Sequence, residues 1–146
     1  MESVIEGKPC FAYLHVDLEP GESVVAESDA MSSMSADLDM KARLNGGFFG
    51  GLARKFFGDE SMFINEFTNQ TDGVRRVTLV QNTPGDIGEI ELNDESICLQ
   101  PGAYLASTPG VKLSLKWAGF ASWIGREGLF KLQVSGTGKV WYGAYG

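Results

Sequence analysis

The chain is poor in the residues on which most catalytic and metal sites depend. It contains one histidine, His15, and two cysteines, Cys10 and Cys98. Metal sites on small β folds commonly need two or three imidazole ligands, and hydrolytic triads or cysteine–histidine pairs need an imidazole base. A lone histidine on a strand is more typical of a structural or exposed residue. The cysteine spacing leaves a disulfide open without indicating one. We therefore predict that the protein is not an enzyme and carries no metal or other cofactor.

Basic residues are also scarce. Lys and Arg number 12 against 19 Asp and Glu, which gives a net charge of −7. The local basic pairs Arg54-Lys55 and Arg75-Arg76 are typical of solvated surface. Binding to nucleic acid relies on many phosphate contacts from Lys and Arg. We therefore expect no nucleic acid partner.

Long apolar runs are missing as well. No run approaches the roughly 18 apolar residues that a membrane-spanning helix requires, and no apolar signal region follows Met1. These features predict a cytoplasmic protein. The length of 146 residues predicts one domain over residues 1–146.

What the chain does contain is a series of short alternating segments separated by turn dipeptides. Period-two alternation of apolar and polar residues indicates strands with one buried face. Asp72-Gly73 separates two such segments, residues 62–69 and 74–81, and predicts a β-hairpin. Many short strands at these intervals predict an all-β sandwich or barrel. The alternating segments lie at residues 11–18, 38–44, 111–117 and 130–135, and the other turn dipeptides are Pro20-Gly21, Pro84-Gly85, Pro101-Gly102 and Pro109-Gly110.

A weak internal repeat accompanies these strands. The segment from Leu18 to Ala30 aligns with the segment from Leu92 to Ala103 once one residue is skipped. Each reads as a turn, a Glu-Ser pair, an apolar strand, a second turn and an alanine. Either two similar elements arose by chance, or a β unit was duplicated into two related halves.

The segment at residues 45–58 differs from the rest, because its apolar spacing matches one face of a short amphipathic helix. Gly58 is well placed to end that helix, which we predict near residues 48–57. An apolar face of this kind must contact a core, another subunit or a lipid surface. The candidate interface or lipid-contact residues are Phe48, Phe49, Leu52, Phe56 and Phe57.

Two pairs of carboxylates lie two residues apart. Asp37 and Asp39, and likewise Glu89 and Glu91, are expected to share one face of a strand. Paired carboxylates can serve in acid–base chemistry or hold a hard cation. Alternating acidic residues are, however, also typical of a solvated strand face, and we favour that interpretation.

A further set of motifs follows a specific order and spacing along nearly the whole chain from about residue 10. The motifs are Pro20-Gly-Glu22, Asp29-Ala-Met31, Met34, Gly46-Gly-Phe-Phe-Gly-Gly-Leu52, Gly58-Asp-Glu-Ser-Met-Phe-Ile-Asn-Glu-Phe67, Pro84-Gly85, Pro101-Gly-Ala-Tyr-Leu-Ala106, Gly128-Leu-Phe130, Gly136-Thr-Gly-Lys-Val140 and Ala144-Tyr-Gly146. Together they resemble the altered-inheritance-of-mitochondria protein 24 family, formerly a domain of unknown function common in bacteria.

This resemblance implies a fold similar to the tryptophan RNA-binding attenuation protein, an antiparallel β-sandwich of two related halves that is often oligomeric. Mitochondrial members are linked to inner-membrane organisation, whereas bacterial members are mostly uncharacterised, and the family supplies no catalytic residues. The kinship in fold does not bring RNA binding with it, because the basic face is missing. Family members commonly continue past the segment that matches Ala144-Tyr-Gly146. The chain is thus either a short member or the N-terminal portion of a longer one.

Three functions remain open on this basis. The leading hypothesis is an uncharacterised, non-enzymatic scaffold or interaction protein that forms a homo-oligomer, with a trimer favoured and the Phe-rich segment at the subunit interface. The first alternative is a peripheral membrane protein that uses the same segment, and the second is a β-sandwich that binds a small ligand. In a simpler interpretation the Phe-rich helix closes the end of the monomer's own sandwich.

Overall fold

The computed structural model describes residues 1–44, 63–117 and 130–144. Within these ranges the chain forms β-strands and one short 3-10 turn at Pro101–Ala103. The strands are β1 (Glu2–Glu6), β2 (Tyr13–Leu18), β3 (Ser23–Glu27), β4 (Met31–Met34), β5 (Asp39–Leu44), β6 (Phe63–Thr68), β7 (Arg75–Val80), β8 (Asp86–Leu99), β9 (Tyr104–Ser107), β10 (Val111–Trp117) and β11 (Phe130–Ala144).

The strands form two sheets that pack together. The smaller sheet has the order β1-β2-β7-β4. The larger sheet has the order β10-β11-β9-β3-β6-β5, and β8 also pairs with β11. Every strand pair is antiparallel. The predicted all-β antiparallel sandwich is therefore confirmed.

The core between the sheets follows from the alternation seen in the sequence. In β2, Leu14, Val16 and Leu18 are fully buried while the residues between them are half-buried. Their neighbours in the core come from β7 of the same sheet and from strands of the larger sheet, because each sheet turns one apolar face inward. These neighbours are Val24, Ala26, Phe67, Val77, Leu79, Ile87, Leu105, Ala106 and Trp141.

The predicted hairpin around Asp72-Gly73 is wrong. Strand β6 belongs to the larger sheet and pairs with β3 and β5, whereas β7 belongs to the smaller sheet and pairs with β2 and β4. The turn thus crosses from one sheet to the other. The buried side chain of Asn69 holds it, since its amide nitrogen donates to the carbonyl oxygens of Leu18 and Gly73, each at 2.8 Å.

A bulge interrupts the pairing of the two longest strands, β8 and β11. Asp94 lies in the left-handed region (φ 57°) and has no partner in the register, which passes from Glu95–Gly136 to Asn93–Thr137. Its backbone N–H donates to Thr137 Oγ1 at 3.2 Å. On β11 the adjacent Gly136 has a φ of 111°, a value that glycine adopts without steric cost. The bulge divides the pairing of β8 with β11 into two segments of regular register.

Candidate functional site

The candidate interface residues and the predicted helix over residues 48–57 lie outside the described residues. These candidates are Phe48, Phe49, Leu52, Phe56 and Phe57. In the ranges that the structure does describe, no helix has the length and hydrophobicity needed to cross a bilayer.

A second apolar cluster lies on the larger sheet, on the side that faces away from the smaller sheet. Neighbouring residues of a strand point to opposite faces of the sheet. In β11, Trp141 belongs to the core between the sheets, and the adjacent Val140 belongs to the second cluster. All members of this cluster in the described part of the chain come from the larger sheet. They are Leu92, Tyr104, Val111, Leu132, Val134 and Val140.

This cluster continues into two rows of aliphatic side chains that cross three strands. The first row is Leu99, Leu132 and Leu115, and the second is Ile97, Val134 and Leu113, each in direct register across β8, β11 and β10. The central member of each row is fully buried, and the flanking members are half-buried. We call the second cluster and these two rows the outer apolar face.

Beside these two rows, the three strands are polar on their other side. Lys112 and Lys116 of β10 and Lys131 of β11 are exposed and alternate with the aliphatic residues of the rows. The sequence pattern predicted strands with one buried face here. It missed that these apolar residues do not join the core between the sheets, because alternation alone does not tell which layer a face will contact.

A buried polar pair lies within the outer apolar face. The Tyr104 hydroxyl is 2.9 Å from Ser107 Oγ and 3.4 Å from the carbonyl oxygen of Val25. Burial raises the pKa of Tyr104 well above its usual range. The phenol therefore stays protonated at neutral pH and acts as a hydrogen-bond donor.

His15 lies on the open side of the smaller sheet in a cross-strand network. Its Nδ1 is 2.9 Å from Thr78 Oγ1, and its Nε2 is 3.9 Å from Glu6 Oε2. The same Glu6 oxygen accepts a hydrogen bond of 2.8 Å from the Tyr13 hydroxyl, and this bond raises the pKa of Tyr13. The imidazole thus links β2 to β7, and the Tyr13–Glu6 hydrogen bond links β2 to β1.

The carboxylate pairs behave differently from each other. Glu89 and Glu91 share one side of β8, as predicted from their spacing. The prediction for the other pair is wrong, because Asp37 lies in a turn before β5 and binds Arg75 Nε at 2.8 Å, while Asp39 begins the strand. No group of three or more His, Cys, Asp or Glu in the described ranges is arranged to hold a metal ion.

Glu89 is the best-connected of these carboxylates. It accepts hydrogen bonds from Lys139 Nζ at 2.9 Å and from the indole N–H of Trp141 at 2.7 Å, and Ser3 Oγ lies at 3.5 Å. Burial raises the pKa of Glu89, but these hydrogen bonds together outweigh it and hold the pKa below the ordinary value. The carboxylate thus stays charged and serves a structural purpose.

A shallow cavity of about 300 Å³ opens beside β2. Its walls are Phe11, Tyr13, Val80 and the loop that ends in Gly85. Phe11 is 73% exposed, an unusual position for a large apolar side chain. The adjacent Cys10 is a free, exposed thiol, as is Cys98, so the disulfide that the sequence left open is not formed.

Comparison with known proteins places these features in a family. The model of the family described as mitochondrial biogenesis AIM24 matches residues 4–146. An uncharacterised protein of Streptococcus pyogenes serotype M6 is 29% identical over 154 residues, covering 100% of this chain and 61% of that protein.

A crystal structure of a Streptococcus pyogenes protein superimposes with a TM-score of 0.76 at 27% identity, over 99% of this chain and 65% of that one. The chain therefore spans less than two thirds of the length of both relatives. The family match extends over nearly every residue, and the chain belongs to the AIM24 family.

Proposed function

We propose that the protein is a non-enzymatic β scaffold that works as a homo-oligomer, with a trimer favoured, and that the outer apolar face forms part of its subunit interface. The observation that carries this proposal is the margin of the outer apolar face. The residues of the second cluster are already buried within one chain, whereas Ile97, Leu99, Leu113 and Leu115 beside them stay half-buried. A second subunit packed against this margin would remove the remaining apolar surface from water.

The energetics are consistent with association. Ile97, Leu99, Leu113 and Leu115 are half-buried, so that complete burial of each would contribute about 1 kcal/mol. Contributions from both partners then offset a substantial part of the roughly 4–15 kcal/mol that association costs. The Phe-rich residues Phe48, Phe49, Phe56 and Phe57 remain the second predicted part of the interface.

A cytoplasmic location suits this proposal. Cys10 and Cys98 are both free and exposed, which is typical of a reducing compartment.

The test is the molar mass of the full chain, measured by light scattering on a size-exclusion column. We expect the double variant Leu99→Ser/Leu115→Ser to dissociate the oligomer. The matched control is Val4→Ser/Val74→Ser, which removes two exposed aliphatic side chains elsewhere and should leave the mass unchanged. An unchanged mass for the first variant, with circular dichroism showing that it is folded, would contradict a subunit contact at this face.

The cavity beside Phe11 favours a second candidate function, the binding of a small apolar ligand. Its volume of about 300 Å³ lies at the lower end of the range for ligand pockets. Thermal shifts across a metabolite panel would detect such a ligand, since binding to the folded state raises Tm. A ligand whose shift disappears in Phe11→Ser would support this function, and a flat response across the panel would count against it.

A further inference from the structure

Among the described residues, the longest strand edge of the larger sheet without a partner strand is one edge of β8. This strand has 14 residues, against a usual length of about 5–6 residues. It pairs with β11 along almost its whole length, and no other strand in the described part of the chain pairs with it. Its second edge therefore presents backbone N–H and C=O groups that another strand can bind. Within this segment the N–H of Ile87 is already occupied, because it donates to Asp86 Oδ1 at 2.8 Å.

This edge lacks several of the usual devices against edge pairing. Lys and Pro commonly blunt an exposed edge, but β8 contains neither. Its only interruption is the bulge at Asp94, which leaves residues 86–93 as a regular segment. The charges of the strand are all negative, since it carries five acidic residues and no basic one: Asp86, Glu89, Glu91, Asp94 and Glu95.

The distribution of these charges argues against pairing between two copies of β8. In an antiparallel two-fold arrangement, residues at equal distances from the axis face each other. Within the regular segment 86–93, an axis at Glu89 or at Glu91 makes that residue face its own copy. An axis at Ile90 places Glu89 directly opposite Glu91. Like charges directly opposite are destabilising.

The two sides of the segment specify the complementary partner. Glu89 and Glu91 lie on the side of Trp141, whereas Ile90 lies on the side of Val140. Lys139 already neutralises Glu89, while Glu91 is exposed and has no ion pair among the described residues. A strand added at this edge would gain most from a cation beside Glu91 and an aliphatic residue beside Ile90.

We infer that residues 86–93 of β8 bind an extended segment of another protein, in which Lys or Arg alternates with aliphatic residues. Backbone hydrogen bonds along the edge supply affinity, and the alternating side chains supply specificity. This site uses the backbone edge of β8, and Ile90 beside it packs against the second apolar cluster.

The probe for this site is an eight-residue capped peptide of alternating Val and Lys. Two control peptides accompany it: one in which Glu replaces Lys, and one with N-methyl groups on two adjacent central residues. N-methylation removes one backbone N–H donor from each edge of this second control peptide and leaves its charge unchanged. Hydrogen exchange of the full-length protein reports whether the β8 amides that point away from β11 become protected.

We expect the Val-Lys peptide to protect these amides and both controls to fail. In Glu91→Lys, the attraction between Glu91 and the Lys residues of the peptide becomes a repulsion, so this variant should bind the peptide roughly tenfold more weakly. The matched control Asp72→Lys, an exposed acid in a turn, should leave binding within about twofold.

Three results would overturn the proposal. Equal binding of the N-methylated peptide would show attraction by charge alone. Equal binding to the Glu91→Lys variant would show a different site. Outer β8 amides that are already protected in the free protein, and that lose this protection on dilution, would show that a second copy occupies the edge.

Discussion

Removal of the Glu89 carboxylate should destabilise the fold by a measurable amount. The indole N–H of Trp141 is fully buried and donates to Glu89 Oε2 at 2.7 Å, and Lys139 Nζ donates to the other oxygen. In Glu89→Ala the buried indole donor loses its acceptor, which costs about 1–3 kcal/mol. Glu89→Gln keeps an oxygen acceptor and loses the charge, so we expect a smaller loss of about 1 kcal/mol.

The assay is equilibrium urea unfolding followed by tryptophan fluorescence. Glu91→Ala is the matched control, because Glu91 lies on the same strand and the same side as Glu89 but does not accept the hydrogen bonds from Lys139 and Trp141. Its free energy of unfolding should stay within about 0.5 kcal/mol of the wild type. A Glu89→Ala variant that is as stable as Glu91→Ala would refute the account of how the buried Trp141 is satisfied.

The same interaction predicts a dependence on pH. The pKa of Glu89 is lower in the folded state than its ordinary value, so the folded state binds fewer protons near that value. The resulting stability is fully present above the unfolded pKa of about 4.3 and is lost as pH falls through the lower folded pKa. The advantage of the wild type over Glu89→Gln should therefore be constant near neutral pH and shrink below about pH 4.

Three further predictions follow from the described contacts. Asn69→Ala removes buried hydrogen bonds that hold the crossing between the sheets. It should lower the free energy of unfolding by about 2–3 kcal/mol. A loss below about 0.5 kcal/mol in urea unfolding would contradict this. Arg76→Ala breaks an ion pair with Asp17 whose Nε–Oδ1 distance is 2.7 Å. Because Arg76 is exposed, the substitution should lower the free energy of unfolding by less than about 1 kcal/mol, and by less still in high salt. A larger loss that does not depend on salt would show that this is not a surface ion pair. Cys10 and Cys98 should both react with a thiol reagent in the native protein, and one thiol that reacts only after unfolding would contradict their exposure.

Much of the fold was predictable from residue patterns because alternation is a local property. In β2, apolar residues recur at every second position, and each of them is buried. The hairpin predicted around Asp72-Gly73 was wrong because a turn dipeptide indicates where the chain reverses, but not which sheet the next strand joins. Here the amide of Asn69, which bridges the strand ends of both sheets, decides the crossing.

The candidate site was less predictable, because it depends on how strands are ordered. Val140 and Trp141 are adjacent apolar residues, and only the packing of both sides of β11 shows that they belong to different clusters. The open edge of β8 likewise follows from its pairing with β11 alone among the described strands. Membership of the AIM24 family was predicted from motif order and is confirmed. The kinship with the tryptophan RNA-binding attenuation protein, the single domain and the oligomeric state stay predictions.

The most direct test of the scaffold account is sedimentation velocity of the wild-type chain over a wide range of concentrations. We expect one discrete species whose mass is a small multiple of the 15.8 kDa chain, three-fold if the favoured trimer forms. A single species with the mass of one chain at every concentration would contradict it, and the outer apolar face would then need a different explanation.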